Sequence, residues 1–110
     1  GKREYVYVKD LVDVIVRILK NNVADVYNIG LGINYSHREV AEMINDVFDN
    51  SGNLEVMPNK PEDKKIYLMN SDKIKEELSW QPKWSFCEAL RDIKHTIQAN
   101  TEKYFYENTF

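Results

Sequence analysis

The chain has 110 residues, of which 43% are hydrophobic and 30% charged, with a formal net charge of −3 and a single cysteine. That length suits one domain with a real core and is too short for a second. The acidic balance disfavours a nucleic-acid or anionic-membrane surface, lone Cys87 excludes an internal disulfide or a cysteine-based zinc site, and no apolar run approaches the ~18 residues that span a bilayer. No signal-peptide pattern opens the chain, so a cytoplasmic protein is expected, with neither nucleic acid nor membrane as a partner. It starts abruptly in strand-like sequence, as a piece of a longer protein would.

Arg3 leads into a short β-prone stretch (Tyr5, Val6, Tyr7, Val8), and Asp10 then opens an apolar helix as its cap. The β-branched residues of that helix would also suit a buried strand, but Asp13, Arg17 and Lys20 are spaced four and three apart, which makes one narrow helical stripe. A helix with so narrow a polar stripe should be buried on most sides. Asn21 and Asn22 end it, and residues 25–29 (DVYNI) predict a short core strand closed by Gly30. Ser36 and Glu39 form a capping-box pattern for a second helix running to about Asp49, with Val40, Ala41, Ile44, Val47 and Phe48 on one face. After the turn cluster at 50–53, residues 54–57 predict a strand, 58–63 a polar loop and 66–69 a second extended piece. A brief helix from Ser71 or Asp72 stops before Trp80, because Gln81-Pro82 forces a break. Ser85 and Glu88 repeat the capping box and launch a last helix with Phe86, Ala89, Leu90, Ile93 and Ile97 inward. The fold class is therefore α/β: a mixed α+β lobe of about four helices and several short strands.

In order, these pieces resemble the C-terminal, substrate-binding lobe of the extended short-chain dehydrogenases, the NAD-dependent epimerase/dehydratase family that includes UDP-glucose 4-epimerase. The family's Arg-Asp-aromatic stretch and helix start are matched by Arg3-Glu4-Tyr5-Val6-Tyr7-Val8-Lys9-Asp10, and its Tyr-Asn-Ile-Gly strand end by Tyr27-Asn28-Ile29-Gly30. Ser36 and Glu39 match its Ser-x-x-Glu helix, and Lys60-Pro61-Glu62-Asp63 its Arg-Pro-Gly-Asp loop. Asp72-Lys73 followed by Leu78-Ser79-Trp80-Gln81-Pro82 matches its Ser-Lys…Leu-Gly-Trp-x-Pro element. The departures are Lys60 for arginine, Glu62 for glycine, Asp72 for serine and Ser79 for glycine. The match covers about residues 2 to 99.

A sugar nucleotide carries a diphosphate, which calls for positive charge and a fork of donors. The resemblance implies that Arg3 contacts that diphosphate; read alone, Arg3 could equally be a solvated surface arginine. It makes Lys60 a second cation, with the charge of the family's arginine but without its bidentate fork. Asp63 would accept from ribose or a base-side group, or serve as a turn residue. Asn28 would donate an amide bond to the ligand, or satisfy backbone groups at a strand end. Tyr5 would line the nucleotide pocket, or pack in the core.

Other features read as structure. His37 and His95 lie on polar helix faces, and Trp80 and Trp84 are expected to pack the C-terminal helix. Gly30-Leu31-Gly32 lacks the third glycine of a dinucleotide fingerprint. Six of the seven tyrosines have no lysine four residues on; Tyr5 has Lys9, but within the Arg3–Asp10 stretch that the resemblance assigns to the substrate-binding lobe, so it is not read as the family's catalytic Tyr-x-x-x-Lys pair. The resemblance thus implies an NDP-hexose as partner and NAD(P) as cofactor of the full-length enzyme, held by an N-terminal Rossmann domain outside this sequence. The 110 residues alone should carry no cofactor and no catalysis. Two other readings stay open: a regulatory or nucleic-acid-binding module, because 36–48 looks like the first helix of a helix-turn-helix, and an interaction domain that docks through its aromatic tail.

Overall fold

The computed structural model describes residues 1–58, 61 and 64–101. Four helices and one strand pair follow in the order β1 (Lys2–Glu4), α1 (Val8–Lys20), β2 (Asn34–Ser36), α2 (His37–Val47), α3 (Asp72–Leu78) and α4 (Phe86–Ala99). The mixed α/β class holds. β1 and β2 pair antiparallel with Arg3 opposite Tyr35, and Ile66 adds a single parallel bridge to Lys2.

The main core is Val14 of α1, Ile74 and Leu78 of α3, and Trp80, with Ile18, Val23, Tyr27 and Ile29 packed around them. Trp80 is fully buried, and its indole Nε1 donates to the Asp10 carbonyl at 3.3 Å. This corrects its expected place on the C-terminal helix; it lies instead between α1 and α3. Trp84 packs edge-on against Tyr7, with ring centroids 5.2 Å apart.

Asp10 does not cap α1. The helix starts at Val8, two residues earlier. The Asp10 side chain is 1% exposed, and its carboxylate accepts the Lys83 N–H at 2.9 Å and the Trp84 N–H at 3.2 Å. The first helical turn, with its unbonded N–H groups, is a favourable place for a carboxylate. Seven residues on, Arg17 also turns inward. Its Nη1 donates to the Leu78 and Ser79 carbonyls at 3.0 and 3.2 Å, closing the C-terminus of α3, while Asp13 holds its Nε at 3.2 Å.

Because Asp10 and Arg17 turn inward beside Val14 and Ile18, the remaining apolar residues of α1 face out. The expectation of a helix buried on most sides is therefore wrong. Val8, Leu11, Val12, Ile15, Val16 and Leu19 are all exposed, Leu19 by 73%. The helix ends as its two asparagines predict: Asn22 takes the left-handed conformation, and the Asn22 and Val23 N–H groups donate back to the Leu19 and Ile18 carbonyls, a Schellman closure. Ser79, at the position where the resemblance has glycine, is likewise left-handed at φ 53°, a conformation glycine adopts without steric cost.

The later helices start where their serines predict. Ser85 and Glu88 satisfy each other in a complete capping box. At Ser36 only half of the box forms: its Oγ accepts the Glu39 N–H at 3.1 Å, while the Glu39 carboxylate lies 3.9 Å from Lys2 Nζ. Lys94 closes the far end of α2, donating to the Val47 carbonyl at 2.8 Å. The Phe86 ring fills the space between Tyr5 and Tyr35, at centroid distances of 5.4 and 5.2 Å. Tyr7 ties the start of α1 to α4 by donating its hydroxyl to Asp92. That bond, with burial, pushes the phenol up to about 12, while Lys9 and then Tyr7 hold the Asp92 carboxyl below its usual range.

The expected strands at 25–29 and 54–57 do not form, and 66–69 contributes only the bridge at Ile66. A β-prone run needs a neighbouring edge for its backbone groups, which propensity alone does not supply. Residues 25–29 are held by side chains of α3 instead: Lys73 Nζ lies 2.9 Å from Asp25 and donates to the Val26 carbonyl at 3.0 Å, and the Tyr27 hydroxyl donates to Glu77. Tyr27 and Ile29 are half-buried, whereas Val26 is 81% exposed. No helix follows α2 among the described residues until Asp72, so the helix-turn-helix resemblance of 36–48 has no second helix directly after it.

Asp10→Ala removes the acceptor of two backbone N–H groups, and equilibrium urea unfolding should show a loss of about 2–4 kcal/mol. Asp10→Asn keeps one acceptor oxygen and should fall between the two; a loss under about 0.5 kcal/mol for the alanine variant would contradict the role given to the carboxylate.

Candidate functional site

Arg3 sits on β1 at the wall of a cavity of about 340 Å³, lined also by Glu4, Val6, Ile29, Tyr67 and Met69. Backbone pairing builds this wall. The Lys2 N–H donates to the Lys65 carbonyl at 2.8 Å, and the Tyr67 N–H donates to the Lys2 carbonyl at 3.0 Å. In that register Arg3 and Tyr67 are neighbours, and the guanidinium carbon lies 4.3 Å from the centroid of the Tyr67 ring. The attraction is between the cation and the negative face of the ring.

Glu4 fixes the other side. One carboxylate oxygen accepts the Met69 N–H and the other the Gly32 N–H, both at 2.7 Å. A single side chain on β1 thereby holds both the segment at 65–69 and the loop at 30–32. The arrangement needs glycine at 30, because a Cβ there would fall on the Glu4 carboxylate. The Gly30 carbonyl is in turn held by the buried Ser71 hydroxyl, which donates at 3.1 Å.

Of the residues expected from the sequence, Arg3 lies on this cavity. Asn28 is exposed and next to the lining residue Ile29, but does not line the cavity itself. Tyr5 faces away from it, towards a separate apolar cavity of about 220 Å³ shared with Tyr7, Trp84 and Phe86. Lys60 and Asp63 lie outside the described residues. Sequence reasoning assigned no role to Glu4 or Tyr67. Glu4 had a signal, since it occupies the acidic position after the arginine of the first motif. Tyr67 had none, because its partner is 64 residues away.

His37 and His95 are exposed. Among the described residues no group of His, Cys, Asp and Glu could hold a metal ion, and no helix is long and apolar enough to cross a membrane.

The family model described as GDP-mannose 4,6 dehydratase matches residues 1–93. This chain belongs to that family. Among curated proteins it is similar to the UDP-glucose 4-epimerase of Corynebacterium glutamicum, 32% identical over 87% of this chain and 33% of the relative. It also matches UDP-glucuronic acid decarboxylase 1 of Arabidopsis thaliana, 34% identical over 80% of this chain and 20% of the relative. Among solved structures it superposes on the UDP-N-acetylglucosamine 4-epimerase from Bacillus cereus with a TM-score of 0.81 at 35% identity, covering 89% of this chain and 35% of that one. The dTDP-glucose 4,6-dehydratase from Bacillus anthracis, solved in complex with NAD, gives a TM-score of 0.77 at 25% identity, with 97% and 34% covered. Family members are thus nucleotide-sugar epimerases, dehydratases and decarboxylases, and this chain spans about a fifth to a third of the length of these curated relatives.

Gly30→Ala tests how the wall is built. The added methyl displaces the Glu4 carboxylate, so amide hydrogen exchange at Gly32 and Met69 should accelerate together, with a stability loss of about 1–3 kcal/mol. Unchanged exchange at both amides would contradict the account.

Proposed function

We propose that this chain is the substrate-side lobe of an NAD(P)-dependent nucleotide-sugar epimerase or dehydratase, and that it grips the diphosphate of an NDP-hexose through Arg3. The observation that carries this reading is the position of Arg3. It stands on a cavity wall beside the Tyr67 ring, on the strand that pairs with residues 65–67, which follow the loop expected at 60–63. The guanidinium presents a planar fork of donors, which suits two oxygens of a diphosphate. Lys60 adds charge from that loop and Asp63 accepts from the ribose or base side, while Asn28 supplies an amide at the rim. Tyr5 acts from the neighbouring aromatic cluster, supporting β1 more than touching the ligand.

The cofactor belongs elsewhere in the enzyme. The one glycine-rich loop here is a poor phosphate cradle, because the Gly32 N–H is already taken by the Glu4 carboxylate, whose charge would repel a phosphate. NAD(P), which supplies hydride transfer when bound, is therefore assigned to a companion Rossmann domain. The exposed apolar row of α1 supports that assignment. Six large aliphatic side chains on one helix form the kind of patch that another protein surface covers. In this scheme the lobe's own residues bind and orient the sugar nucleotide and exclude water as the two domains close; they transfer no proton.

Amide NMR during titration with UDP-glucose, dTDP-glucose and UDP provides the test. Saturable shifts at Arg3, Asn28 and residues 60–63, lost in Arg3→Ala, are expected. Shifts that persist in the variant, or none at millimolar ligand, would overturn the reading.

A further inference from the structure

Tyr67 lies in none of the motifs that place this chain in its family, yet its ring contacts the residue on which the proposed function rests. Its backbone is fixed first. The Tyr67 N–H donates to the Lys2 carbonyl, the Lys65 carbonyl accepts from Lys2, and Met69, two residues on, is bonded to Glu4. The segment is therefore pinned at both ends, and the ring at 67 has little choice but to lie beside Arg3. The guanidinium carbon is 4.3 Å from the ring centroid, well inside the range of a cation–π contact. Stacking uses the face of a guanidinium and leaves its N–H groups in the plane, where an anion is bound. An arginine without such a support spends rotamer freedom when it binds; one already stacked has lost part of it beforehand.

We propose that Tyr67 is a positioning residue for Arg3, holding the guanidinium flat so that its edge faces the diphosphate of the nucleotide sugar. The inference rests on the assignment of Arg3 to that diphosphate and adds to it the residue that orients the arginine.

The test is UDP affinity, measured by titration of the 110-residue chain, in a double-mutant cycle with ligand-free NMR as control. Tyr67→Phe keeps the aromatic face and should bind UDP within about twofold of the parent, whereas Tyr67→Leu should weaken binding about threefold to fivefold. In the Arg3→Ala background Tyr67→Leu should cost nothing further, because its effect passes through the arginine. Without ligand, the Arg3 Nε–H resonance should move in Tyr67→Leu and stay close to the parent in Tyr67→Phe, a shift that loss of fold elsewhere would not mimic if the remaining amides hold their positions. If Arg3→Ala weakens UDP binding but Tyr67→Leu does not, the positioning role fails while the diphosphate assignment stands. Equal cost of Tyr67→Leu with and without Arg3 also overturns it, marking Tyr67 as merely structural. If Arg3→Ala leaves UDP binding unchanged, the diphosphate assignment fails and takes the positioning role with it.

Discussion

The buried carboxylate of Asp10 is the joint on which this fold turns. It sits in the first turn of α1 and receives two backbone N–H groups from the segment between α3 and α4, while its own carbonyl receives the indole of Trp80. One residue thus fixes where the Pro82 turn runs, how Trp80 enters the core, and where α4 begins. A carboxylate buried without a cation is costly unless donors surround it. Here they are backbone groups and the dipole of the helix that carries it. Asp10 and Arg17 point inward with Val14 and Ile18, which leaves the row Val8, Leu11, Val12, Ile15, Val16 and Leu19 of α1 facing outward.

Glu4 repeats the same chemistry at the site. Its two oxygens draw together the 30–32 loop and the 65–69 segment around β1, and Gly30 is the position that leaves room for it. This brings Arg3 and Tyr67 together from opposite ends of the chain. It also uses up a loop N–H that would otherwise favour an anion, and among the described residues the cation lining the cavity is Arg3. The site and the unsuitability of the glycine loop for a dinucleotide phosphate have the same cause.

How much of this was legible in the sequence depends on how local the cause was. The starts of α2 and α4 could be read because Ser36 and Ser85 act on residues three positions away, and α3 could be bounded because Pro82 forbids continuation. The end of α1 followed from two asparagines. The strands could not be read, because a strand is defined by its neighbour: 25–29 has β-prone residues but is held by Lys73 and Glu77 of α3. Periodicity identified α1 as a helix but not which way Asp10 and Arg17 point, which is set by backbone groups more than sixty residues away. At the site, Arg3 stood out through its motif, whereas the contact of Tyr67 with it spans 64 residues and leaves no local trace. Tyr5 was read as a choice between pocket and core, and its ring lies against Phe86.

The outward face of α1 and the cavity at Arg3 fit one enzyme lobe. The first offers a surface for a companion domain, and the second a place for the ligand that both would enclose. The measurement that tests this account most directly is a crystal structure of the chain with UDP-glucose bound. The account predicts both phosphates beside β1, with diphosphate oxygens about 3 Å from the Arg3 guanidinium and the Tyr67 ring still beneath it. A diphosphate bound at the 30–32 loop, or anywhere out of reach of Arg3, would contradict it.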